Sequence, residues 1–194
     1  MKEMRVFIAI ELGRELQNNL LILKERLERQ VPYRSVRWVR PEGIHLTLKF
    51  LGDVPAARIA AISQALEMAC RGLTPFTCEL SGLGCFPNPR RPRVLWVGVH
   101  EPSGTLKGLH KAVERELAAI GFAPENRPFS PHLTLGRVQR KAGRSDRDIL
   151  GEVIARSSVG LVGRLTVSEV NVIRSELRPS GAVYTALARV PLED

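Results

Sequence analysis

Sulfur is scarce in this chain of 194 residues: Cys70, Cys78 and Cys85 are its three cysteines, odd in number and without CxxC spacing. Neither a disulfide framework nor a thiolate zinc site is indicated, and the expected setting is a reducing cytoplasm. Long apolar runs are missing too. The opening MKEMRVFIAIEL holds only a short one, closed by Glu11. It reads as a first strand, not a signal peptide, and no later run is long enough to span a membrane. Acidic residues number 20 against 29 basic ones, giving a net charge of +9 and a pI near 10.2. That excess suits polyanionic partners such as nucleic acid or phosphates, or equally a well-solvated basic surface. Histidine is limited to His45, His100, His110 and His132. The remainder, 44% hydrophobic and 25% charged, is ordinary for a globular protein, and the length allows one domain or two small lobes sharing a core.

Two of the four histidines open the same word: His45-Leu-Thr-Leu and His132-Leu-Thr-Leu. The surroundings repeat as well. RVFIAIEL (Arg5 to Leu12) is a branched, aromatic-containing strand, and the helix after it carries Leu16, Leu20, Leu23 and Leu27 as an amphipathic stripe. HLTLKFLG follows as a strand, PAARIAAISQALEMACRG as a helix and FTCELSGLGCF as a strand. In the second half RVLWVGVH (Arg93 to His100) is a strand. The next helix carries Leu106, Leu109, Val113, Leu117 and Ile120, and HLTLGR then returns. SDRDILGEVIARS is a helix, and LTVSEVNVIRSEL and GAVYTALARVPL close the chain as strands around a turn at RPSG. Val6 stands almost as far before His45 as Val94 stands before His132. The expected fold is α+β: two pseudo-twofold-related lobes, each a mostly antiparallel sheet with helices on its outer face, and His-x-Thr strands lining a central cleft. The chain is expected to be one bilobal domain over 1–194, duplicated roughly as 1–84 and 93–175, with a closing strand at 182–190.

Strand alternation puts His45, Thr47 and Lys49 on one face and Leu46, Leu48 and Phe50 on the other; His132 and Thr134 likewise oppose Leu133 and Leu135. Leucines suit packing beneath helices. Two lobes related by a twofold would aim both polar faces into one groove. Two imidazoles can give and take a proton near neutral pH, and two hydroxyls can donate to anionic oxygens, a set that fits a phosphodiester. Zinc competes for the histidines, yet a catalytic zinc ordinarily has a third protein ligand, and no Asp, Glu or Cys stands within either tetrapeptide. No metal and no cofactor is expected. His100 and His110 lack this context and are expected to be structural or solvated.

These two His-x-Thr motifs, with RVFIAIEL, WVRPEGIHLTLKFLGDV, PRRPRVLWVGV, PFSPHLTLGRV and SELRPSGAVYTALARVPL around them, resemble the two-histidine phosphoesterases over nearly the whole chain. The finer likeness is to bacterial and archaeal RNA 2',3'-cyclic phosphodiesterases, historically called 2'-5' RNA ligases. The resemblance implies metal-independent hydrolysis of a terminal 2',3'-cyclic phosphate to a 2'-phosphate. His45 would be the proton donor and His132 the acceptor, with Thr47 and Thr134 on the non-bridging oxygens. Joining RNA ends by the reverse reaction, or holding a strand end without turnover, are the other readings.

Around this set, Arg137 and Lys49 are candidates for phosphate contacts, and Phe7, Trp38 and Phe129 for stacking a terminal base. Arg34, Arg37 and Arg40, or Arg90, Arg91 and Arg93, or Arg140, Lys141, Arg144 and Arg147, could carry longer RNA. RNA ends bearing the cyclic phosphate are the expected partners, with tRNA fragments and small cyclic nucleotides fitting equally. No membrane is implied, and nothing demands more than a monomer.

Overall fold

A computed structural model describes residues 3–178 and 181–193 of the chain, so the Pro179 and Ser180 of the expected RPSG turn lie outside the described residues. Among the described residues four α-helices cover one face of a nine-stranded sheet: α1 (Arg14–Glu28), α2 (Ile59–Cys70), α3 (Thr105–Ala119) and α4 (Arg144–Arg156). The strands are β1 (Glu3–Glu11), β2 (Val36–Trp38), β3 (His45–Pro55), β4 (Phe76–Phe86), β5 (Val94–His100), β6 (His132–Val138), β7 (Leu161–Val167), β8 (Glu169–Arg178) and β9 (Gly181–Pro191). They lie in the order β7-β4-β5-β6-β3-β1-β8-β9, every described pairing is antiparallel, and β2 pairs with β6 off this path.

The leucine stripes act as their spacing predicts. Leu16, Leu20, Leu23 and Leu27 of α1 and Leu106, Leu109, Val113 and Leu117 of α3 are buried in one core with Leu46, Leu48, Leu133 and Leu135. Removing each such side chain from water stabilises the fold by about 1.5–3 kcal/mol.

Lobe membership departs from the order of the sequence repeats. β4, read as the last strand of the first repeat, pairs with β5 and β7 of the second. LTVSEVNVIRSEL is not one strand. It breaks at Ser168 into β7 and β8, and β8 crosses to pair with β1 while β9 pairs with β8. Each lobe is thus completed by strands from the other half of the chain. Ahead of the first motif strand, Val36, Arg37 and Trp38 form β2 by pairing with Val138, Arg137 and Gly136 of β6. At the lobe junction β3 and β6 meet through the pair Leu46↔Leu133.

Candidate active site

Paired residues share a face, so the Leu46↔Leu133 bridge, buried on the helix side, sends its neighbours to the other face. Strand alternation from that bridge places His45 and Thr47 of β3, and His132 and Thr134 of β6, on the opposite face. All four side chains are half-buried on the open face of the sheet. The meeting of the two motif strands therefore puts two imidazoles and two hydroxyls on one face.

The halves repeat in register beyond the tetrapeptide. Both Thr-Leu steps carry a β-bulge: Ile8 pairs with Lys49 and Ala9 with Thr47, skipping Leu48, while Leu95 pairs with Gly136 and Trp96 with Thr134, skipping Leu135. Reading outward, Thr47–Ala9–Asn171 in one lobe corresponds to Thr134–Trp96–Gly84 in the other.

Each imidazole sits in an aromatic frame. The His45 ring stacks on Phe7 at 4.6 Å between centroids and meets Tyr184 edge-on at 5.1 Å. The His132 ring meets Phe86 edge-on at 4.9 Å, with Trp96 at 6.3 Å. Trp96 lies flat over Gly84, where an added Cβ would come within 2.2 Å of its ring. Both rings also engage the backbone two residues upstream. His132 Nδ1 donates to the Ser130 carbonyl at 2.7 Å, which leaves Nε2 of the neutral ring as the acceptor. Burial pushes His45 down to about 4, and a hydrogen bond to the Gly43 backbone opposes that shift only in part. Among the described residues no group of three or more His, Cys, Asp or Glu side chains is arranged to hold a metal ion. The three cysteines are buried, and their thiols are raised by that burial, Cys70 to about 11 and Cys78 to about 12.

This doubled geometry has a counterpart in a known family, whose description, LigT like phosphoesterase, matches the chain twice, over residues 10–96 and 97–184. The chain belongs to the LigT like phosphoesterases. Among curated relatives, the RNA 2',3'-cyclic phosphodiesterase of Methanothermobacter thermautotrophicus is 39% identical over 183 residues, covering 94% of this chain and 96% of that protein. The protein of the same name from Aquifex aeolicus is 32% identical, covering 96% of each. Among solved structures, TT0787 of Thermus thermophilus superposes with a TM-score of 0.75 at 31% identity, covering 97% of this chain and 98% of that one. E. coli LigT complexed with 3'-AMP gives 0.77 at 27% identity over 100% of both chains.

Within this LigT like frame the supporting residues divide. Arg137 is exposed, and the bulge at Leu135 returns it to the open face beside Arg37, its cross-strand partner. Phe7 is 2% exposed and lies beneath the His45 ring, so it is a floor for the histidine and cannot stack a base. Lys49 is a correction. The bulge at Leu48 reverses the alternation, and Lys49 enters the helix side, 3% exposed, with Nζ 2.8 Å from both Glu114 Oε2 and the Ala123 carbonyl. Trp38 is another, since it shares the face of Val36 and packs against both apolar cores. Phe129 is the third: its ring is taken up by stacking on His110 of α3 at 3.9 Å. Sequence reading missed Phe86, Trp96 and Tyr184. The alternation in RVLWVGVH, Leu95 and Val97 inward and Trp96 outward, was the available signal for one of them.

Proposed function

We propose that the chain hydrolyses the 2',3'-cyclic phosphate at an RNA end to a 2'-phosphate, the bilobal unit 1–194 working as one site. The observation that carries this is the meeting of the two motif strands at Leu46↔Leu133, with His45, Thr47, His132 and Thr134 on one open face. The names of the curated relatives, RNA 2',3'-cyclic phosphodiesterase, support the substrate.

Water attacks phosphorus in line with the 3'-oxygen. His132 Nε2, the nitrogen left free by the Ser130 bond, takes the water proton. His45 gives a proton to the departing 3'-oxygen, so the P–O3' bond breaks as the new P–O bond forms. Thr47 and Thr134 donate to the non-bridging oxygens, where charge builds, and Arg137 adds positive charge from the edge of the groove. The strained ring needs positioning and proton transfer more than a Lewis acid, so the proposed reaction runs on these side chains without a metal.

His45 is neutral in the free protein at pH 7, because burial lowers it to about 4. To serve as the acid it must gain its proton with the substrate, whose phosphate anion favours the charged ring. The same observation favours a second reading, in which neutral His45 is the base and His132 the acid. A cyclic phosphate with sulfur at the 3'-bridging position separates them, because that leaving group needs no proton. On this substrate His45→Ala is expected to recover activity and His132→Ala is not; the opposite pattern reverses the roles. On ordinary cyclic-phosphate RNA each substitution is expected to lower kcat by about 10² to 10⁴ with the fold retained, and EDTA to have no effect. Full turnover in the double alanine variant, measured by the position of the product phosphate, refutes the proposal. Products longer than the substrate would show joining instead.

A further inference from the structure

Although the lobes repeat one plan, the two flanks of the groove carry opposite charge. On the His45 flank a cavity of about 420 Å³ is lined by Glu11, Glu42 and Glu169 with one cation, Arg189. That arginine is already engaged, 2.7 Å from Glu169 and 3.3 Å from Glu11.

The His132 flank is basic. Phe86, whose ring meets His132, ends β4, and the chain loops through Asn88, Pro89, Arg90 and Arg91 back to β5. The loop is closed at its base by the Arg93 N–H donating to the Phe86 carbonyl at 2.8 Å. Arg90 and Arg91 line an open cavity of about 670 Å³ with Arg144, Arg147 and Asp148. Arg90, Arg91 and Arg144 are exposed, and none makes a side-chain hydrogen bond or ion pair among the described residues.

The platform under them is held in place. Arg147 donates to the carbonyls of Ala142, Pro92 and Gln139 at 3.2, 3.3 and 3.3 Å, tying the loop, the end of β6 and the first turn of α4 together. Asn88 Oδ1 accepts from the N–H groups of Arg90 and Arg91 at 3.1 and 3.2 Å. At Gly151 an added Cβ would fall 2.2 Å from the Pro89 carbonyl, so α4 seats directly on the loop. A ligand arriving there orders arginine side chains and little backbone, which lowers the cost of binding.

Taking the His45–His132 groove as the site of an RNA end, as proposed above, we infer that the strand upstream of the cyclic phosphate leaves over the His132 flank and lays its phosphates on Arg90, Arg91 and Arg144. The acidic flank repels a polyanion, and the basic loop begins next to Phe86, whose ring meets His132. The ligand is a single-stranded oligoribonucleotide, whose backbone presents successive anions that free guanidinium groups bind.

The test compares 2',3'-cyclic AMP with a ten-nucleotide RNA ending in a 2',3'-cyclic phosphate, using the full chain and its R90E/R91E/R144E variant. Wild type is expected to show a kcat/KM at least tenfold higher for the oligomer at low salt. In the variant that advantage disappears and the salt slope for the oligomer weakens by about 2, at roughly 0.7 per lost phosphate contact on single strands. Turnover of cyclic AMP stays within twofold, which also shows that the variant is folded. An oligomer advantage that survives in the variant, its absence in wild type, or a parallel loss on both substrates overturns the inference. Wild type that hydrolyses neither substrate overturns instead the function on which it rests.

Discussion

His45 is held where a positive charge is costly, between Phe7, Tyr184 and the β3 backbone. In the unfolded chain the ring has its ordinary value of 6.5, and in the fold it is lowered to about 4. Its contribution to stability is therefore fully present above pH 6.5 and is lost as pH falls from 6.5 to 4, where the unfolded chain takes up a proton and the folded one does not. The loss amounts to about 3–4 kcal/mol at roughly 1.4 kcal/mol per pH unit. Denaturant titrations across this window are expected to show the slope in the wild type and a flatter profile in His45→Gln. Lys49 makes a different case. With Glu114 of α3 it forms a buried pair at 2.8 Å, on the helix side of the sheet. Lys49→Ala leaves the carboxylate without its cation and is expected to cost about 3–5 kcal/mol in chemical denaturation, with KM unchanged in the folded protein. A raised KM with intact stability would return Lys49 to the substrate.

At the scale of elements, the two bulges decide which side chains the motif strands present. Without the extra Leu48, alternation would bring Lys49 to the open face; with it, Phe50 takes that place at 57% exposure. In β6 the same device brings out Arg137. The strands also depend on what lies beneath them. Leu46→Ala removes a fully buried side chain at the bridge between lobes and is expected to destabilise by about 2–5 kcal/mol. Gly84→Ala forces Trp96 off the sheet, and Trp96 neighbours His132. A stability loss of about 1–3 kcal/mol, accompanied by a fall in kcat, is the expected result; a change in stability alone would show that Trp96 does not position the histidine.

The whole molecule is interlocked. β4 serves the second lobe and β8 and β9 serve the first, while α1 packs across on β7, with Asn19 Nδ2 donating to the Val162 carbonyl at 3.0 Å. α2 packs on α3, and Lys49 of β3 is tied to Glu114 of α3. Neither half of the sequence can complete a sheet or cover its core alone. Calorimetry is expected to give one transition with equal van't Hoff and calorimetric enthalpies. A fragment ending near Phe86 would leave β1 without β8 and is expected not to fold; two resolved transitions would show lobes of independent stability.

Much of this was legible in the chain itself, because periodicity is local. The leucine stripes gave the helices, and the repeated His-Leu-Thr-Leu gave two polar pairs on strands with apolar backs. What the tertiary structure alone decided is pairing. The exchange of β4 and β8 between lobes and the capture of β2 by β6 arise from hydrogen bonds between residues far apart in sequence. So do the bulges at Leu48 and Leu135, because a bulge exists only relative to the strand alongside it. Lys49 and Phe50 exchange faces for that reason. The aromatic frame of each imidazole also comes from distant strands, brought in by a sheet order that alternation along one strand cannot encode.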